Sequence, residues 1–257
     1  MPWLLLLASL IPAQSAPKLP IDVSRLEVGP PVVVTEVDTG TLKGEVRRLC
    51  WSPDGKALYL QTAEGRPPAE QLRHYSIALE GGNVSPLDKE PEWAARYWAQ
   101  KQDRVAPGLP ALAIEVVQGS ENIKTGTGPA GVLDRTSSPD HVAAGNPSVE
   151  NLAMGNMGNE RARVVRLVLL DQEIASWTNE RVIPGLRFGW GPEGSGALVH
   201  VGTKGELLFL DQAKRRHSAA RVKDALLPAW SDDGGRVAFL QKVGRKKYAV
   251  AWVPVGW

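Results

Sequence analysis

From residue 31 onward, apolar residues recur at period two in short runs, and clusters of Gly, Pro, Asp and Ser separate the runs. That alternation predicts half-buried β-strands joined by tight turns. Val32, Val33, Val34, Thr35 and Val37 make the first strong strand, and residues 163–170 and 173–177 predict two more across Asp171 and Gln172. A helical period occurs in one place, residues 88–103, where Trp93, Tyr97 and Lys101 fall on one face. Asp88 is the expected cap of this helix, and Pro91 is tolerated in its first turn. Residues 120–161 are rich in Gly, Ser, Thr, Asn and Pro, which predicts a long loop region.

Three of the strand runs repeat one design. Leu49, Cys50 and Trp51 lead into Ser52-Pro53-Asp54-Gly55; Phe188, Gly189 and Trp190 lead into Gly191-Pro192-Glu193-Gly194; Pro228, Ala229 and Trp230 lead into Ser231-Asp232-Asp233-Gly234. In each, an apolar strand ends in Trp, a turn closes on an acid followed by Gly, and a second alternating strand follows. Gly55, Gly194 and Gly234 sit where a tight turn needs positive φ, and Asp54 or Asp233 can accept hydrogen bonds from the turn backbone. Trp190 and Trp230 are 40 residues apart, which fits one propeller blade of roughly 40 to 45 residues. The expected fold class is therefore all-β: a β-propeller of about five or six blades, some degenerate, with the helix inserted between blades. The strand over residues 31–37 is expected to complete the sheet of the last blade and so leave no open hydrogen-bonding edge.

The segment Trp51-Ser52-Pro53-Asp54-Gly55, followed by an apolar strand, resembles the PD40 repeat of TolB-like, WD40-type β-propellers. The copies at Trp190 and Trp230 carry the same pattern with substitutions. The resemblance covers residues 46–80 and 183–254 and leaves no room for the domain that precedes the propeller in TolB itself. It implies a role in binding other proteins rather than in catalysis.

The amino terminus predicts an address. Trp3 to Ala8 and Leu10-Ile11 form an apolar run too short to span a membrane, followed by the small residues Ala13, Ser15 and Ala16. Residues 1–15 therefore read as a secretory signal cut between Ser15 and Ala16, with residues 16–257 as one propeller-like domain that is secreted or periplasmic and has no stable membrane anchor. The 30 basic and 28 acidic residues leave a net charge of +2, which argues against nucleic acid as a partner. One cysteine, Cys50, forbids an intramolecular disulfide and is expected to be buried.

Candidate chemistry is sparse. The run from Gly126 to Gly131 matches G-x-G-x-x-G, yet no helix is predicted after it, so a dinucleotide site is not expected. No serine sits in a G-x-S-x-G setting, and His74, His141, His200 and His217 lack metal-ligand spacing. No catalytic residue, metal or cofactor is assigned. Two basic clusters, Lys214-Arg215-Arg216 and Arg245-Lys246-Lys247, are candidate partner-binding residues, as is Trp98 on the helix; on one rim the clusters would make a single positive patch. The expected function is that of an exported, non-enzymatic module for another protein or envelope component. The alternatives are an enzyme or small-ligand binder using polar groups at a central channel, and an incomplete propeller that assembles with a partner subunit.

Overall fold

A computed structural model describes residues 20–65, 69–102, 104–118, 163–179, 188–202 and 204–257. The expected signal segment, the G-x-G-x-x-G match, His141 and the whole of the 120–161 region lie outside the described residues. Within them the chain is all-β with one helix, and its strands form four antiparallel sheets.

Sheet I holds β3 (Glu45–Trp51), β4 (Ala57–Glu64), β5 (Gln71–Ala78) and β6 (Val84–Leu87) in chain order. The helix α1 (Glu92–Gln102) leads to sheet II, made of β7 (Val105–Ala106), β8 (Leu109–Gln118), β9 (Arg163–Leu169) and β10 (Gln172–Asn179). Sheet III is β11 (Phe188–Trp190), β12 (Ala197–Val201), β13 (Leu207–Asp211) and β14 (Arg216–Ala219). Sheet IV combines β15 (Ala225–Trp230), β16 (Arg236–Lys242) and β17 (Lys247–Gly256) with two strands from the other end of the chain, β1 (Glu27–Val28) and β2 (Val32–Asp38). The ten residues of β17 are long enough to pair with β2 along Lys247 to Trp252 and with β1 at Val255 and Gly256. The strand expected near the amino terminus thus does lie in the C-terminal sheet.

Two expectations need correction. The described residues form four sheets, not five or six, because residues 119–162 connect β8 to β9, two hydrogen-bonded neighbours of one sheet. Asp88 does not cap α1: the Pro91 carbonyl accepts from the amides of Ala94 and Ala95, so the first turn starts one residue after Pro91. Proline has no N–H to leave unsatisfied at a helix start, whereas Asp88 is too far upstream to reach the first free amides.

The apolar core lies between sheets. Trp51 packs with Leu58, Leu60 and Ile77 of sheet I and Leu227, Ala229 and Leu240 of sheet IV. Trp230 packs with Val237 and Phe239 of its own sheet and with Val199, Leu207 and Phe209 of sheet III, its ring meeting Phe209 edge-on at 5.1 Å. Trp190 lies with Leu198 and Leu210 of sheet III and with Leu112, Ile114, Val165 and Leu167 of sheet II. Each signature Trp therefore faces a sheet in the same sense along the order II, III, IV, I. Burying one such ring contributes on the order of 3 kcal/mol.

The close approach of first strands explains one glycine. A methyl group on Gly189 of β11 would lie 2.7 Å from the Pro228 carbonyl oxygen of β15, so only Gly lets these two backbones meet. Among the described residues no helix is long and apolar enough to cross a membrane.

Candidate functional site

The repeated turns come together at one rim. Gly55, Gly194 and Gly234 have φ of 64°, 74° and 76°, the left-handed conformation that the motif requires. The Gly55 carbonyl accepts from Arg236 Nη1 at 2.9 Å, which joins the turns of sheets I and IV. A methyl on Gly234 would stand 3.2 Å from Pro192 Cγ, and the Gly194 amide donates to the Pro107 carbonyl at 2.8 Å, which places the turns of sheets IV, III and II side by side. Asp54 Oδ1 accepts from Ser52 Oγ and the Lys56 amide, and Asp233 Oδ1 accepts from Ser231 Oγ and the Gly235 amide. These acids are spent on their own turns.

Trp51, Trp190 and Trp230 are equivalent in strand position and all buried, but their indole N–H groups differ. Trp51 Nε1 donates to the Ala229 carbonyl of sheet IV at 2.9 Å, Trp230 Nε1 donates to the Gly234 carbonyl of its own turn at 3.0 Å, and Trp190 Nε1 has no hydrogen-bond partner among the described residues.

Sheet I differs from the others on its second face. Cys50 and Tyr59, which point away from Trp51, pack against Trp93, Ala94 and Tyr97 of α1. The helix covers the face of sheet I that is turned away from sheet IV. Cys50 is 2% exposed, and burial pushes its thiol up from the ordinary value, so it is an inert, neutral group.

Beneath the helix runs a chain of polar contacts. His74 Nδ1 and Tyr59 Oη share a hydrogen bond of 2.7 Å; Tyr59 Oη also accepts from Gln61 Nε2 and donates to Glu90 Oε1 at 3.3 Å; Glu90 is ion-paired with Arg48 at 2.7 Å. Burial, with the Glu90 charge beside it, pushes the Tyr59 phenol up, so it serves as a neutral hydrogen-bonding group. The Arg48 guanidinium lies 4.7 Å over the Trp98 ring.

The chain ends at Lys101. Its ammonium is buried, 5.6 Å from the Trp98 ring centroid, 5.7 Å from that of Phe188 on β11, and 3.4 Å from the Pro228 carbonyl on β15. Burial lowers its pKa to about 7, and Cys50 of β3 is the next influence on it. The carboxyl end of α1 thus reaches the place where the first strands β3, β11 and β15 meet. The Trp98 and Phe188 faces, the Pro228 carbonyl and the helix C-terminus offset part of the cost of a buried ammonium there.

The predicted partner-binding residues are separated by this arrangement. Lys214-Arg215-Arg216 form the β13–β14 turn, at the rim of the signature turns, and Arg245-Lys246-Lys247 form the β16–β17 turn, at the opposite end of sheet IV. They do not make one patch. Arg215 is held between Asp22 and Asp211, at 2.6 and 2.7 Å. Arg245, Lys246 and Lys247 are exposed and, with Asp38, line an open depression of about 430 Å3. Trp98 is half-buried between two cations rather than presented to solvent.

Sequence reasoning placed Lys101 on the face shared by Trp93 and Tyr97 but not at the meeting point of three sheets. A lysine on the apolar stripe of a helix was the available signal. Nothing local tied Arg48, Tyr59, His74 and Glu90 together, since they come from separate strands and a loop. Among the described residues no group of His, Cys, Asp and Glu could hold a metal ion. No family model matches the chain, and no curated protein matches it.

Proposed function

We propose that the chain is an exported, PD40-like β-propeller module that binds another protein or an envelope component and carries out no chemistry of its own. The carrying observation is the common sense in which Trp51, Trp230 and Trp190 each pack into the neighbouring sheet, since radial stacking is the arrangement that repeats one interface in one rotational sense. In this reading sheets I to IV are four blades, β2 fastens the last blade to the first part of the chain, and α1 fills the position where sheets I and II would otherwise touch.

The polar groups nearest the meeting point favour binding over catalysis. Lys101 occupies the place that a channel ligand would need, and the Tyr59 network is satisfied internally. That leaves the loops at the two rims as recognition surfaces, which is where variable function sits on a rigid scaffold.

The test uses the full chain expressed in a secreting host. Amino-terminal sequencing should find Ala16 first, and the secreted protein, used as bait on envelope extracts, should retain one component in near-equal molar amount that binds again when purified. Recovery of the uncut chain in the cytosol would overturn export. Turnover of a small molecule by the purified chain, lost in Lys101→Met, would overturn the binding reading in favour of channel chemistry.

A further inference from the structure

The rim opposite the signature turns joins four chain segments that are far apart in sequence. The Ala225 amide donates to the Gly205 carbonyl at 2.9 Å, which ties the β12–β13 turn to the β14–β15 connection. The Lys242 amide donates to the Asp224 carbonyl at 3.1 Å, which brings in the end of β16, and the Thr39 amide donates to the Lys246 carbonyl at 2.9 Å, which adds the β2–β3 connection. One continuous strip of backbone results, across sheets III and IV to the start of sheet I.

That strip is basic. Lys204, Lys223, Lys242, Arg245, Lys246 and Lys247 all stand on it exposed, and none forms an ion pair among the described residues. The other rim carries fewer free cations: Arg215 is neutralised by Asp22 and Asp211 and Arg236 reaches Asp233 at 3.5 Å, which leaves Lys56, Lys214 and Arg216 exposed without an ion pair among the described residues. Cations left unpaired side by side repel one another, so they gain most when a negative partner arrives.

We infer that this rim, centred on the β16–β17 turn, is the docking surface for an acidic segment of a partner protein. The inference deepens the reading of the chain as a binding module and rests on it. Two observations favour a protein segment over a uniformly anionic surface. Asp38, Glu206 and Asp224 are interspersed among the cations, a mixed pattern that a peptide can match and that a lipid or phosphate array would meet with repulsion. The open depression bounded by Asp38, Arg245, Lys246 and Lys247, with Val243 exposed beside it, offers a concave seat for one or two side chains rather than a plane.

The test is fluorescence anisotropy with a fluorescein-labelled acidic peptide in which Glu residues are interspersed with Ser and one Lys, and the full chain at low salt. Saturable binding is expected, weakening about tenfold or more when the salt is raised to a Debye length of about 5 Å. The fourfold variant Lys242→Glu, Arg245→Glu, Lys246→Glu and Lys247→Glu should lose about thirtyfold or more in affinity, while Lys214→Glu with Arg216→Glu, on the other rim, should change it less than about threefold. Circular dichroism melts confirm folding; if the fourfold variant is unfolded, Lys246→Gln with Lys247→Gln should still weaken binding about fivefold. Equal losses from both rims would overturn the assignment by showing a response to net charge alone. Tighter binding to phosphatidylglycerol vesicles or to a short DNA duplex than to the peptide would overturn the choice of partner. Failure of the peptide to bind, alongside a component still captured by the same bait, would remove this surface and leave the module reading intact.

Discussion

Sheets I, III and IV differ from sheet II in how they meet their neighbours. The first three end their opening strand in Trp and press that ring into the next sheet, so one local motif makes both a turn and an interface. Sheet II begins with only the two residues of β7 and has no such Trp; sheet I carries on its second face α1, whose Ala94, Trp93 and Tyr97 pack on Cys50 and Tyr59. A repeated interface needs no special chemistry. The exceptional one contains the buried lysine, the buried thiol and the polar chain from His74 to Arg48.

The largest break in that comparison should come from Trp230→Ala. Its ring is among the largest fully buried side chains, so the cavity should cost about 3–5 kcal/mol in urea unfolding. Trp51→Ala should behave similarly and in addition strand the Ala229 carbonyl. The same substitution at Trp98, half-buried under Arg48, should cost clearly less; equal losses would mean that the helical interface is as tightly packed as the Trp interfaces.

The lysine sharpens the comparison through pH. The folded chain holds Lys101 near a pKa of about 7, below its ordinary value of 10.5, so between these values the unfolded chain binds more protons. Stability should therefore rise by about 2–3 kcal/mol between pH 7 and 9, with the buried-charge penalty fully present below pH 7; above pH 9 the Cys50 thiol, which burial keeps protonated after the unfolded chain has released its proton, acts in the opposite sense. Lys101→Met should flatten the pH dependence of thermal unfolding; an unchanged slope would place its origin elsewhere.

Gly189→Ala should force β11 away from Pro228 and cost about 1–3 kcal/mol, with the loss seen in denaturant midpoints. The smallest effect is expected at the turn of sheet IV. Ser231 is buried, donates to Asp233 and accepts from the Arg236 amide, so Ser231→Ala should cost about 1 kcal/mol. Sheet III has Gly191 at the matching position, and Gly191→Ser should give no comparable gain because a Cβ there would meet Ser195 Oγ at 2.6 Å.

Much of this architecture could be read residue by residue. The strand near residues 31–37, the hairpins after each Trp and the helix near residues 92–102 follow from period, turn chemistry and glycine placement. The number of sheets could not, because nothing in residues 119–162 marks them as a connection inside one sheet; β8 and β9 recognise each other across that interval only by pairing. The basic clusters were equally misleading as a pair. Lys214 to Arg216 and Arg245 to Lys247 look alike in sequence, yet one follows the third strand of its sheet and the other the second, and antiparallel strands send those turns to opposite rims.

The chain by itself settled that residues 31–37, residues 163–177 and the hairpins at Trp51, Trp190 and Trp230 would be strands, and that these three indole rings would be hidden, because those choices depend on side-chain shape and on neighbours a few residues away; β8 was recognised only through its pairing with β9. Only the assembled molecule decided that Lys101 would lie against β11 and β15, that Arg215 would be silenced by Asp22, and that Lys204, Lys223 and the β16–β17 turn would share an edge. Charge acts through space, and the distances that set its effect exist only after the sheets have packed.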